Sequence, residues 1–226
     1  MNDNNEFVKQ LLSDREIALI GFADLSQIDE EQRGGFKFGI SIATALTVFP
    51  STGEASEEYF NEYKRVSRVL KKASYYLEEK IKERGYEAYS LAGVHQNEQF
   101  RTLLPYKTLA TRSGLGWIGK SGVLVTKEYG NAIRLNGVLT DMPLETANPI
   151  DTSRCGDCEE CVKNCPGHAI KGALWNVFTD RDELLDATAC KRAVIERGKN
   201  MGVTEGSCGI CLAVCPWTKK YIRSLS

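Results

Sequence analysis

The sequence predicts a chain in two parts, an N-terminal domain of α/β (or α+β) class over residues 1–148 and a C-terminal cysteine-rich domain over residues 149–226. Three observations predict it. Runs of branched and aromatic residues alternate with one long stretch of helical apolar spacing, the succession expected of strands and helices sharing a core. A polar connector occupies residues 143–152, and all eight cysteines lie beyond it.

Residues 17–22 and 36–48 read as strands, because they are rich in branched and aromatic side chains and lack a helical stripe. An acidic, glycine-containing loop at 27–35 separates them. Over residues 57–84, Tyr59, Tyr63, Val66, Leu70, Ala73, Leu77 and Ile81 recur at spacings of three and four. That stripe predicts a long amphipathic helix, ended by Gly85 in the position where glycine closes helices best. Residues 87–92 read as the next strand and 105–112 as a short helix. Residues 122–126 and 132–140 read as a strand pair joined by a turn at Tyr129, Gly130 and Asn131.

Composition removes several classes of function. The 226 residues are 42% hydrophobic and 26% charged, with a net charge of −1, which is globular material without the basic surplus of a nucleic-acid protein. The N-terminus has no basic segment leading into an apolar one, so no secretory signal is expected. The apolar-rich run at 38–49 is broken by Ser41, Thr44 and Thr47 and is too short to span a bilayer. A cytoplasmic protein without a membrane partner is the expectation. In that compartment thiols stay reduced, which turns eight cysteines from a disulfide framework into candidate metal ligands.

Cys155, Cys158, Cys161 and Cys165, followed by Pro166, spell C-x2-C-x2-C-x3-C-P. Bacterial ferredoxins use this run, three cysteines holding one four-iron cubane while the fourth crosses to the other cluster. A second motif, Cys208, Cys211 and Cys215 with Pro216, lacks one ligand, and Cys190 is the one cysteine left. Exchange then assigns Cys155, Cys158, Cys161 and Cys215 to one 4Fe-4S cluster and Cys165, Cys190, Cys208 and Cys211 to the other. The expectation is a ferredoxin-like two-cluster 4Fe-4S domain. Two four-cysteine zinc sites are the competing reading, but they pair doublets and need neither the third close cysteine nor the Cys-Pro endings.

Residues 114–121 match two nucleotide-binding strings at once, G-x-G-x-x-G and G-x-x-x-x-G-K-S. Both require a strand before the loop and a helix after it, whose free amides hold phosphate. Here a helical segment precedes and an apolar run follows, so nucleotide binding is rejected. Three glycines around Trp117 imply a backbone that bends tightly and approaches something closely. A turn that packs Trp117 into the core is the plain alternative.

Taken with the cysteine pattern, Arg112 to Lys120, Cys190 after Asp186-Ala187-Thr188, and Cys208 to Trp217 give the chain its family likeness: it resembles the epoxyqueuosine reductases, relatives of the reductive dehalogenases. The resemblance implies a cobalamin in the α/β domain beside the nearer of two clusters, with Gly114, Gly116, Trp117, Gly119 and Lys120 as the cofactor-binding loop. It implies an external electron donor such as a ferredoxin or flavodoxin, and a small-molecule or corrinoid substrate. The acid that the resemblance places ahead of the loop falls on Phe100, which leaves Glu98 and Tyr106 as candidate catalytic proton donors. Their plain readings are a solvated charge and a half-buried aromatic. The chain reads as a short form lacking the helical repeats that follow the clusters in tRNA-reducing members, so tRNA binding is not expected. His168 reads as a neighbour of a cluster and His95 as a satisfied surface or core histidine. Three functions remain open: a corrinoid-dependent reductase, a redox partner that reduces a corrinoid, and a ferredoxin-like carrier.

Overall fold

The computed structural model describes residues 3–53, 55–93, 97–102, 104–202 and 206–225 of the chain. They form a mixed α/β protein of two compact units. The first comprises Met1–Ala45, Val66–Leu115 and Arg134–Ile150, and the second Leu46–Arg65, Gly116–Ile133 and Asp151–Ser226. Residues 46–65 and 116–133, which the sequence groups with the N-terminal domain, therefore fold with the cysteine region.

The first unit opens with helix α1 (Asp3–Leu12), followed by strands β1 (Leu19–Asp24) and β2 (Phe38–Ala45). These pair antiparallel, with Leu19 opposite Ala43 and Asp24 opposite Phe38. Residues 39–44 of β2 are all buried, so both faces of this strand are covered, which explains why its sequence is apolar without alternation. Helix α2 (Glu57–Glu83) carries Val66, Leu70, Ala73, Leu77 and Ile81 at no more than 1% exposure. Each large aliphatic buried in this way stabilises the fold by about 1.5–3 kcal/mol. Strand β3 (Ala88–Ser90) follows, and Ser90 Oγ lies 2.9 Å from Ser74 Oγ of α2. Helix α3 (Tyr106–Arg112) then seats Leu109 over β2, where a Cβ on Gly39 would stand 2.5 Å from Leu109 Cδ1.

A short hairpin, β4 (Trp117–Ile118) with β5 (Leu124–Val125), lies in the second unit. Strand β6 (Ile133–Thr140) does not pair with β5, contrary to the expected strand pair. It lies between β2 and β3 in a four-stranded sheet of order β1-β2-β6-β3. Val125 and Leu124 of β5 pair instead with Trp117 and Ile118, and an isolated bridge between Thr126 and Gly130 closes the following turn.

The cysteine region is built from short helices α4 (Glu160–Lys163), α5 (Arg181–Leu184), α6 (Ala187–Gly198), α7 (Ile210–Ala213) and α8 (Pro216–Arg223). Helices this short need caps. Asp180 and Glu183 form a capping box on α5, Asp186 accepts from Ala189 N–H at the start of α6, and Pro216 occupies the first turn of α8. No helix among the described residues is long and apolar enough to cross a membrane.

Candidate metal centre

Local backbone geometry presents each thiol. Cys158 N–H donates to Cys155 carbonyl at 3.2 Å, α4 carries Cys161, and Cys165 ends the run with its Sγ accepting from Ala169 N–H at 3.3 Å. Helix α6 carries Cys190, α7 carries Cys211, and Cys215 caps α8 immediately before Pro216. All eight cysteines are free thiols.

Folding brings the two motifs together. Cys161 has Cys155, Cys215 and Cys158 as charge neighbours, and burial, followed by those neighbours, pushes its thiol up to about 11. Cys211 is raised further, first by burial and then by Cys208, Cys190, Cys161 and Cys165. Cys165, Cys190 and Cys211 also share an apolar cluster with Ala169, Ile170 and Ala189. Cys155, Cys158, Cys161, Cys211 and Cys215 line one cavity of about 140 Å3, together with Gly119, Lys120, Asn131 and Trp217. Thiols pushed up first by burial and then by one another suit a group that takes thiolates only, because binding it removes the protons and the repulsion together. Among the described residues, no three His, Cys, Asp or Glu side chains converge closely enough for a single metal ion.

The glycine loop is placed unevenly. Gly114 belongs to the first unit with φ of 70°, and a Cβ there would meet the Asn148 carbonyl at 2.9 Å. In the second unit, Gly116 faces the Val125 carbonyl so closely that no side chain fits. Trp117 is fully buried, edge-on to Trp217 at 5.1 Å, and its indole N–H has no acceptor among the described residues. What Gly114, Gly116 and Trp117 approach closely is thus their own chain, and they do not fit as an open cradle for a corrin. Gly119 and Lys120 do reach the thiol-lined cavity, and a Cβ on Gly119 would stand 3.4 Å from Cys155 Sγ. Helix α3 precedes the loop and β5 follows it, the reverse of a phosphate-binding loop.

Glu98 is exposed in the first unit, within a turn in which Asn97 Oδ1 accepts from the N–H groups of Gln99 and Arg101. Tyr106 packs on the cluster of Ala23, Leu25, Leu91, Leu104, Leu109 and Leu139, and its hydroxyl donates to the Leu91 carbonyl at 2.8 Å. His168 is exposed, with φ of 47°, and closes the turn after Cys165. His95 lies outside the described residues. Sequence reading missed Asn131, whose amide donates to the Cys211 carbonyl at 3.3 Å and whose Oδ1 accepts from Thr218 Oγ1 at 2.6 Å. Only its turn position was visible in one dimension.

With this geometry in hand, residues 154–218 match the family model described as a 4Fe-4S double cluster binding domain. The fold and the thiol constellation thus define an iron–sulfur protein. More particularly, the chain is related to the epoxyqueuosine reductases. It is 27% identical over 185 residues to the epoxyqueuosine reductase of Synechocystis sp., which covers 77% of this chain and 58% of that protein. It is 34% identical over 119 residues to the tetrachloroethene reductive dehalogenase of Sulfurospirillum multivorans, covering 50% of this chain and 23% of that one. Each match spans less than two thirds of the relative. The fold resembles an epoxyqueuosine reductase solved with an epoxyqueuosine-modified tRNA stem loop (TM-score 0.61, 21% identity, 95% of this chain and 64% of that one). It also resembles a reductive dehalogenase whose structure was described as suggesting a mechanism for B12-dependent dehalogenation (TM-score 0.69, 17% identity, 95% and 32%).

Proposed function

We propose that the protein is an iron–sulfur reductase that carries single electrons on two four-iron clusters toward a corrinoid. The observation that carries this reading is the pairing of thiols across the two motifs: Cys215 beside Cys161 and Cys155, and Cys165 with Cys190 beside Cys211. One cluster is assigned to Cys155, Cys158, Cys161 and Cys215, the other to Cys165, Cys190, Cys208 and Cys211. Such clusters supply one-electron transfer at potentials tuned by burial, charge and hydrogen bonds. The chain's own share is to hold thiolates in a shielded pocket, with Trp217 and Asn131 on its wall and Gly119 leaving room beside Cys155.

An external ferredoxin or flavodoxin is the proposed electron source. The corrinoid acceptor is supported by the likeness to a reductase described as B12-dependent, and no step is assigned to the glycine loop in holding it. The substrate proposed is a small molecule. A second reading, a redox partner that reduces a corrinoid without substrate chemistry, is favoured by Tyr106, whose hydroxyl is engaged by the Leu91 carbonyl instead of being presented as an acid. Reduction of added cobalamin by the dithionite-reduced protein, without turnover of any organic substrate, would select it.

Anaerobic reconstitution should load about eight irons per chain, and Cys190→Ala should leave about four. Iron near zero with stoichiometric zinc would overturn the proposal.

A further inference from the structure

The cavity beside Cys155, Cys158, Cys161 and Cys215 has a single basic side chain in its described lining, Lys120. Lys120 is only 6% exposed, and its ammonium has no hydrogen-bond or ion-pair partner among the described residues. A lysine enclosed to this degree has little water around its side chain, and a charge so placed is favoured by a nearby counter-charge. The one carboxylate on the same wall, Glu160, is on an exposed residue and thus screened by solvent. The other acidic groups in the described lining are the cysteine thiols.

Resting on the two-cluster reading above, we infer that Lys120 is the counter-charge of the cluster held by Cys155, Cys158, Cys161 and Cys215, and that it raises that cluster's reduction potential. A cubane bound by four thiolates is negative when oxidised and gains one further negative charge with each electron, taking up no proton in the step. A fixed cation in a cavity of low dielectric stabilises the more negative state more strongly. Lys120 is thus a positioning charge, not a phosphate ligand, in spite of the G-K-S string around it. Gly119 makes the placement possible, since a Cβ there would stand 2.9 Å from Val125 Cγ2 and 3.4 Å from Cys155 Sγ.

The test is a dithionite titration of reconstituted full-length protein followed by electron paramagnetic resonance, on wild type, Lys120→Gln, Lys120→Arg and the exposed-surface control Lys219→Gln. Lys120→Gln should lower one of two midpoints so that the reduced-to-oxidised ratio at fixed potential falls at least tenfold, about 59 mV for one electron. The other midpoint should stay put, Lys120→Arg should restore the first, and Lys219→Gln should move neither. If Lys120→Gln instead loses about four irons and Lys120→Arg regains them, the charge is needed to hold the cluster and the inference stands. Full iron with unmoved midpoints overturns it, as does equal loss in both Lys120 variants, which would mark a steric role. Wild type without iron would defeat the two-cluster reading itself and is told apart by the iron count.

Discussion

Glu62 is a strongly perturbed carboxylate of the second unit, and its surroundings make a stability prediction with a defined sign. It is 6% exposed, and its oxygens accept from Arg65 Nε at 2.7 Å, from Thr47 N–H at 3.1 Å and from Thr47 Oγ1 at 2.9 Å. The Arg65 hydrogen bonds, helped by those of Thr47 and opposed by burial, hold its carboxyl down at about 2 against an ordinary 4.5. A folded-state pKa below the unfolded one adds stability at every pH above the unfolded value, and that stability drains away as pH falls through the folded one. Glu62→Gln should therefore destabilise the protein by about 2 kcal/mol at neutral pH, the usual worth of hydrogen bonds to a charged group. Denaturant melts should show the gap between wild type and variant closing between pH 4.5 and 2. A gap independent of pH would mean the loss is one of packing. Tyr106 belongs to the same class of evidence: burial raises its hydroxyl, and that hydroxyl is committed to the Leu91 carbonyl, so a side chain that reads in sequence as a possible acid is part of a core.

The β4–β5 hairpin shows how a motif's text and its physics diverge. Gly116 exists because the Val125 carbonyl occupies the place of a side chain, and Trp117 opposite Val125 is fully buried between Trp217 and the Arg154 guanidinium, 5.6 Å from its ring. Gly116→Val should force this hairpin apart. The hairpin carries Gly119 and Lys120 to the thiol cavity, so the variant should lose about 3 kcal/mol or more in denaturant melts and retain less iron than wild type. A corrin-contacting loop would behave in the opposite way, with intact iron and stability and only cobalamin binding weakened. Helix α2 is the contrasting case. Its stripe from Val66 to Ile81 is legible at once, because helical spacing is a local property that burial then enforces. Helix α1 is harder to read in sequence, because its apolar residues Phe7, Val8, Leu11 and Leu12 span little more than one turn after a polar start.

For the molecule as a whole, the proposed division of the eight cysteines between two clusters is the property that links distant segments. Because Cys165 comes from the first motif and Cys208 from the second, the exchange assignment makes Cys165→Ala and Cys208→Ala hit the same cluster. The double variant should then keep about four irons, no fewer than either single variant, whereas Cys165→Ala with Cys215→Ala should lose both clusters. Iron analysis of the four proteins decides between exchanged and separate motifs. The eight cysteines and the two Cys-Pro motifs that carry the proposed exchange were legible in one dimension, because the spacing of thiolates around a cubane is a matter of a few residues of local chain. The main helix and the burial of β2 were legible for the same reason. The partner of β6, the folding of residues 46–65 and 116–133 with the cysteines, and the delivery of Gly119 and Lys120 to the thiol cavity were not. Those depend on which distant surfaces meet, and strand pairing and the burial of a charge are settled by neighbours far away in the chain, which no local pattern records.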